Sequence, residues 1–231
     1  MELISLKDVS VKYKNGVNAI QNVTTSIKKG EFVFIVGQSG SGKSTFIKLL
    51  YREVKPDKGQ VYLSGLNVAN LRNNKVYKIR RKLGVVFQDY RLLEKKTVYE
   101  NVAFALEIVN TPKKEIYNKV LTALELVGLK GKTRSYPTEL SGGEQQRVAI
   151  ARAIVNNPKV LICDELTGNL DPKHSKEIMK ILERINRETE TTIIVATHNK
   201  EIVDKMKKRV IAIKNGCIVS DQEKGGYYES D

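Results

Sequence analysis

The chain has 231 residues, of which 41% are hydrophobic, and its formal net charge is +14. This length favours one compact domain with a sizeable core. No apolar run approaches the ~18 residues of a membrane span, and the N-terminus lacks the basic and apolar regions of a signal peptide. Cys163 and Cys217 fit no metal-binding spacing. We therefore expect a cytoplasmic protein with reduced cysteines.

The first quarter of the chain predicts strands followed by a phosphate-binding loop. Residues 2–13, 18–27 and 60–64 are typical of short strands in an antiparallel edge layer. Residues 31–36 form an apolar run of β-branched and aromatic residues, which predicts a buried strand, and residues 44–51 predict a helix. Between the two lies Gly-Gln-Ser-Gly-Ser-Gly-Lys-Ser, which matches the P-loop pattern in the expected strand-to-helix context.

Each part of the P-loop has a physical role in binding a nucleoside triphosphate. Glycines let backbone N–H groups face the phosphates, and the helix N-terminus adds positive partial charge. Lys43 would reach the β- and γ-phosphates, and the Ser44 hydroxyl could ligate Mg²⁺. The alternative is a Gly/Ser loop that matches by chance. The predicted nucleotide-binding residues here are Gly37, Ser39, Gly40, Ser41, Gly42, Lys43, Ser44 and Thr45.

The remaining elements alternate between apolar strands and helices. Strands at 84–87, 160–164 and 192–197 are separated by helical stretches, which predicts a mostly parallel, doubly wound α/β core. The intervening helices are predicted at 98–109, 113–127, about 144–155 and 173–188, and a hairpin with an Asn-Gly turn at 210–219.

The strand at 160–164 ends in two carboxylates, as expected for a Walker B segment. Asp164 would hold Mg²⁺, directly or through water. Glu165 is suited to polarise the attacking water. Alone, an apolar run before Asp-Glu would indicate a strand entering a solvated turn, but its pairing with a P-loop favours the catalytic interpretation.

Residues 66–96 carry nine Lys and Arg side chains against Asp89 and Glu94. The cluster fits either a solvated surface or an anionic neighbour. A membrane surface would suit such charge. Nucleic acid would suit it on charge alone, but no aromatic platform or base-reading motif is present, so we expect no nucleic-acid partner.

Residues 140–147, Leu-Ser-Gly-Gly-Glu-Gln-Gln-Arg, resemble the signature motif of the ATP-binding cassette (ABC) ATPases. The resemblance implies further roles. Gln88 resembles the Q-loop glutamine that contacts Mg²⁺ and the attacking water, and His198 the switch histidine that contacts the γ-phosphate. Residues 168–171 resemble the D-loop, which would place Asp171 near the nucleotide. Tyr13 resembles the aromatic residue that stacks on adenine. Taken singly, Tyr13 could be an ordinary strand tyrosine, Gln88 a turn residue and His198 a surface histidine. His174 has no motif around it and is expected at the surface.

The resemblance also implies an ATP-dependent, head-to-tail homodimer. The P-loop of one subunit and Ser141, Gly142 and Gly143 of the other would sandwich each ATP, with Ser141 bonded to the γ-phosphate. The Ser-Gly-Gly turn opening a helix is itself a potential anion site. One departure from the family is Leu166, where proline usually follows the Walker B glutamate. Because proline favours an extended residue before it, we expect Glu165 to be less restrained and hydrolysis slower than in relatives.

The family implies an α/β fold with a mostly parallel core sheet, an antiparallel edge layer and a helical subdomain. We predict a single ABC ATPase domain over residues 1–231. Residues 1–88 and 159–219 would form its RecA-like core, residues 89–158 the helical subdomain with the signature motif, and residues 220–231 a polar, frayed tail.

Several stretches resemble the FtsE family of bacterial cell-division ATPases, among them residues 51–53, 87–93, 96–103 and 151–158. That family works with the membrane protein FtsX, and the pair activates peptidoglycan hydrolases. The resemblance places the chain at the cytoplasmic face of the membrane, with Tyr90, Arg91, Leu92 and Leu93 as the expected contact with an FtsX-like protein. Two alternatives stay open: the ATPase of a lipoprotein or drug exporter from the same superfamily, and a soluble ABC protein acting on ribosomes or DNA.

Overall fold

The structure is a computed structural model that describes residues 1–166 and 171–228. The chain forms two compact units, which we call the first unit (Met1–Arg80 with Thr192–Asp231) and the second unit (Arg81–Thr191). The sequence-based domain boundary at residue 89 stays a prediction.

The helices and strands follow the predicted order closely. In chain order they are β1 (Glu2–Lys12), β2 (Asn18–Lys28), β3 (Phe32–Val36), α1 (Lys43–Leu50), β4 (Lys58–Leu63), β5 (Leu66–Asn67), α2 (Tyr77–Arg80), β6 (Leu83–Val86), α3 (Val98–Glu107), α4 (Lys113–Leu126), α5 (Gly142–Ile154), β7 (Val160–Asp164), α6 (Pro172–Thr189), β8 (Thr192–Ala196), α7 (Lys200–Met206), β9 (Arg209–Lys214) and β10 (Cys217–Gln222).

The first unit combines an antiparallel sheet with parallel strands. The antiparallel sheet has the order β2-β1-β4-β5. Strand β3 pairs in parallel with both β8 and β9, and β10 returns antiparallel to β9. Every residue of β3 and β8 is buried, as expected for parallel strands covered on both faces. The mixed α/β fold with a parallel core and an antiparallel layer is thereby confirmed.

The second unit is built around the parallel pair β6 and β7, in which Val86 lies opposite Cys163. Helix α5 packs against α3, α4, α6 and β6. Cys163 is buried, and burial raises the pKa of its thiol above the usual range, so it has the environment of an inert core cysteine.

The helix starts have recognisable chemical causes. Thr97 caps α3, and its hydroxyl accepts a hydrogen bond from the Glu100 N–H while Glu100 accepts one from the Thr97 N–H. The same reciprocal capping box joins Ser141 and Glu144 at the start of α5. Among the described residues, no helix is both long enough and apolar enough to cross a lipid bilayer.

The described part of the C-terminal segment, residues 220–228, differs from the predicted frayed tail. Residues up to Gln222 belong to β10. Gly225 is buried and donates its N–H to the Lys208 carbonyl at 3.1 Å, and the Tyr227 N–H donates to Asp204 at 2.6 Å. A Cβ on Gly225 would lie 2.9 Å from the Val210 Cβ. The segment is therefore held because glycine lets its backbone approach β9, which polarity alone did not reveal.

Candidate active site

The P-loop joins the buried strand β3 to helix α1 within the first unit. Gly37 and Gly42 have φ values of 149° and 113°, a region that side-chain-bearing residues rarely adopt. A Cβ on Gly37 would collide with the Ile213 carbonyl oxygen, and one on Gly42 with the Ala19 carbonyl oxygen. The loop therefore needs glycine at both positions to curl around an anion.

Lys43 is folded onto the loop that precedes it. Its side chain is only 5% exposed, and its Nζ donates to the carbonyl oxygens of Gly37 and Gln38 at 2.8 and 2.9 Å. Ser39, Gly40 and Ser44 are exposed on the same loop. An ammonium beside a glycine-rich helix N-terminus is the arrangement that binds phosphates.

The rest of the loop is anchored to its neighbours. The buried Ser41 accepts a hydrogen bond at its backbone oxygen from the Gly216 N–H at 2.8 Å. Thr45 is also buried, and its hydroxyl lies 3.1 Å from the hydroxyl of Tyr13. Tyr13 remains 37% exposed. The hydroxyl end of the Tyr13 ring thus contacts α1, while the ring remains accessible to a nucleobase.

A cavity of about 320 Å³ lies beside the P-loop in the first unit. Residues 37–41 form one wall, and residues 212–215 continue it. The remaining wall is provided by Tyr227 and Tyr228 of the C-terminal segment. No motif surrounds these two tyrosines, so their place beside the P-loop could not be predicted from the sequence.

His198 leaves the parallel strands at the same edge as the P-loop. Ile35 of β3 lies opposite Ala196 of β8, so the two chains diverge at neighbouring strand ends. His198 is exposed between β8 and α7. The structure therefore places the P-loop and His198 at the carboxyl ends of parallel strands in the first unit, where α/β proteins bind ligands. Tyr13 follows β1 of the antiparallel sheet in the same unit and reaches the P-loop helix through the Thr45 hydroxyl.

The predicted carboxylates and the Q-loop glutamine share an edge of the second unit. Val86 lies opposite Cys163. Gln88, which follows β6, and Asp164, the last residue of β7, are therefore at the carboxyl ends of adjacent strands. Gln88 is exposed, and Asp164 and Glu165 are half-buried. Glu165 has a left-handed backbone with a φ of 50°.

The signature residues open helix α5. Ser141 and Gly142 are exposed, whereas Gly143 is buried. The backbone hydrogen bond from Ser141 lowers the pKa of Glu144, with smaller contributions from Lys132 and Arg147. Ser141 is therefore both the helix cap and the side chain predicted to meet a phosphate.

Asp171 is joined to the signature by His174, which has no motif around it and was expected only at the surface. Asp171 caps α6 by accepting from the N–H groups of Lys173 and His174, and its second oxygen is bonded to the His174 ring. Hydrogen bonds from His174 lower the pKa of Asp171. A Cβ on Gly143 would lie 3.0 Å from the His174 ring. The other predicted D-loop residues, 168–170, lie outside the described residues.

The chain matches the ABC transporter family over residues 20–168. It belongs to this family and is an ATP-binding cassette ATPase, which hydrolyses ATP to ADP and phosphate. The Streptococcus pneumoniae "Cell division ATP-binding protein FtsE" is 57% identical over 231 residues, which is 100% of both chains. The Bacillus subtilis protein of the same name is 55% identical, over 99% of this chain and 100% of its own length.

A solved structure agrees with this assignment. A dimeric, post-hydrolysis state of the ATP-binding cassette MJ0796, bound to ADP and phosphate, is 36% identical with a TM-score of 0.84. The similarity covers 97% of this chain and 100% of that one. The chain is thus FtsE-like in sequence and an ABC cassette in fold.

Proposed function

We propose that this ATPase works with an FtsX-like integral membrane protein and activates peptidoglycan hydrolases during cell division. The observation that carries the proposal is the 57% identity to a cell-division FtsE over the whole of both chains. The basic stretch at residues 66–96 supports a location at an anionic membrane surface. We place the chain at the cytoplasmic face, bound through its partner.

The proposed chemistry assigns a task to each predicted residue. Lys43 and the P-loop N–H groups bind the phosphates, Tyr13 stacks on adenine, and His198 contacts the γ-phosphate. Glu165 polarises the attacking water, which is worth about 10²–10⁴-fold in rate. The glycine cradle, Lys43 and the exposed Ser44 hydroxyl fit a magnesium nucleotide.

The ion would be held by oxygen donors, which Mg²⁺ prefers. These are Ser44, Asp164 and Gln88, directly or through water. When bound, Mg²⁺ neutralises charge on the phosphates. The chain's own residues orient the nucleotide and the water.

The working unit we propose is a head-to-tail homodimer. Its support is that the chain has two glycine-rich helix starts suited to phosphate, one at α1 and one at α5. The dimeric state of MJ0796 with ADP and phosphate offers a precedent for the arrangement. In the dimer, Ser141, Gly142 and Gly143 of one subunit would face the nucleotide on the P-loop of the other, with Asp171 beside it.

The segment proposed to meet the membrane partner is Tyr90, Arg91, Leu92 and Leu93. Arg91 is exposed, and both leucines are only half-buried. Half-exposed leucines beside a cation suit contact with another protein chain.

The proposal is tested by capture from solubilised native membranes with tagged Glu165→Gln protein and ATP. The variant should bind ATP, hydrolyse it about 10²–10⁴-fold more slowly and so hold the partner-bound state. Lys43→Ala is the matched control, since it loses phosphate binding but leaves the proposed contact segment intact. Recovery of an FtsX-like protein with a wall hydrolase would support the proposal. Recovery of an exporter subunit, ribosomes or DNA would overturn it.

A further inference from the structure

Two successive residues in the segment after Gln88 have left-handed backbones. The φ values are 55° for Tyr90 and 48° for Arg91. Each such residue costs about 1–2 kcal/mol when it carries a side chain, and neither tyrosine nor arginine is among the residues that tolerate this region. Other parts of the protein must therefore hold the pair in place.

Arg152, on helix α5, supplies the strongest of these contacts. Its two terminal nitrogens donate to successive carbonyl oxygens, at 2.7 Å to Tyr90 and 2.6 Å to Arg91. The guanidinium is half-buried, and desolvation lowers its pKa. Two short, charge-assisted hydrogen bonds from one planar fork fix both peptide groups at once, and a lysine cannot reproduce that geometry.

Further contacts tie the ends of the segment down. The Arg91 guanidinium lies 3.7 Å from the centre of the Phe87 ring and 3.1 Å from Asp89. Leu93 is bound on both backbone groups by the Asn101 side chain, at 2.8 and 3.1 Å. All of these residues belong to the second unit.

The side chain of Tyr90 reaches the signature motif. A Cβ on Gly142 would lie 3.5 Å from the Tyr90 hydroxyl oxygen, and burial raises the pKa of this tyrosine. The same segment thus contacts α5 twice, at Gly142, the first residue of the helix, and again at Arg152. Ten residues separate these points, which is about 15 Å along a helix.

We propose that Arg152 is a positioning residue that clamps Tyr90 and Arg91 onto α5. The segment proposed to meet the membrane partner and the start of the signature helix then move as one body. This inference rests on the proposed function for the identity of the incoming signal. The clamp itself is a property of the second unit and can be tested without a partner.

The first test measures hydrogen–deuterium exchange at the amides of residues 90–93 in the full chain. Variants are Arg152→Gln and the milder Arg152→Lys. Arg184→Gln is the control, because Arg184 is an arginine of the same unit whose guanidinium pairs with Glu188 at 2.8 Å, on helix α6. We expect exchange at residues 90–93 to rise about tenfold or more in Arg152→Gln, and less in Arg152→Lys. Unchanged exchange would overturn the clamp, as would a rise of equal size throughout α3, α4 and α5.

The second test measures ATP hydrolysis by the complex reconstituted with the membrane protein captured above. We expect Arg152→Gln to lose most of the stimulation that the partner produces, with KM for ATP unchanged and Arg152→Lys restoring part of it. Tyr90→Phe, which removes only the hydroxyl beside Gly142, should lose stimulation while keeping the slow exchange. Full stimulation in all three variants would contradict the proposal. If no FtsX-like partner exists, the exchange result still decides the clamp; if the clamp fails, partner capture still decides the proposed function.

Discussion

At the scale of single residues, Glu165 combines a proposed catalytic role with an unfavourable backbone. Its φ is 50°, and the residue that follows is Leu166, which is only 2% exposed. A proline at position 166 would disfavour this conformation and move Glu165 towards an extended one. The leucine therefore permits a backbone state that a proline at this position would restrict.

We predict that Leu166→Pro raises kcat by about 5- to 30-fold, the rate equivalent of the ~1–2 kcal/mol that a left-handed residue costs. Steady-state ATPase assays would measure it, with KM for ATP expected to stay close to the wild-type value. Leu166→Ala is the control, because it removes the same buried side chain without restraining Glu165. An unchanged kcat, or equal effects of the two substitutions, would show that the backbone of Glu165 does not limit turnover.

At the scale of elements, helices α3 and α5 begin with capping boxes of the same design. One joins Thr97 and Glu100 at α3, and the other joins Ser141 and Glu144 at α5. Only the second contains a residue proposed to contact nucleotide. A comparison of the two caps therefore separates the contribution of Ser141 to stability from its proposed contact with the nucleotide.

We predict that Ser141→Ala and Thr97→Ala each lose about 1 kcal/mol of unfolding free energy, the usual value of a helix cap. Only Ser141→Ala should also lower the ATPase rate, because only Ser141 would meet the γ-phosphate. Denaturant unfolding and steady-state kinetics on the same preparations check both statements. Equal rates in the two variants would remove Ser141 from the catalytic arrangement.

The same box adds a pH dependence with a definite sign. The hydrogen bond from the Ser141 N–H holds the pKa of Glu144 below its usual value, which is about 4.3. Because the folded pKa is the lower one, the ionised carboxylate stabilises the fold above that usual value. This stabilisation disappears as the pH falls through the folded pKa. The stability difference between wild type and Glu144→Gln should accordingly shrink in acid.

The features that could be predicted from the sequence are those with a local chemical cause. The apolar run at 31–36 becomes β3 because parallel core strands are buried throughout, and the P-loop follows from its own glycines and Lys43. Helix α7 was missed, since its seven residues are too few for a helical period to show.

Contacts between distant residues were not predictable in the same way. The left-handed pair Tyr90 and Arg91 depends on Arg152, which lies more than 60 positions away in the chain. The close approach of His174 to Gly143 is not indicated by any sequence pattern, apart from the spacing between His174 and Asp171, the helix cap. Each of these is a tertiary effect that no window of neighbouring residues encodes.

At the scale of the whole molecule, the two glycine-rich helix N-termini, at α1 and α5, raise the question of whether each ATP site is shared between two subunits. In a head-to-tail dimer, each ATP would lie between the P-loop of one subunit and the signature of the other. If so, Lys43→Ala and Ser141→Arg should each inactivate both sites of a homodimer. In a mixed dimer, both defects fall on one site, and the other site combines an intact P-loop with an intact signature.

We therefore predict that mixing the two inactive variants restores ATP hydrolysis. With equal amounts of the two variants, random pairing puts about half of the chains into mixed dimers. Each mixed dimer has one intact site out of two, so about a quarter of the wild-type rate should return. The measurement is a steady-state ATPase titration of one variant into the other at fixed total protein, with the rate peaking at equal amounts. Mixing Lys43→Ala with Lys43→Ala,Ser141→Arg is the control, since no pairing of these chains contains an intact P-loop. A flat titration with both variants folded would mean that each chain completes its own site, because only sites shared between subunits can be repaired by exchange.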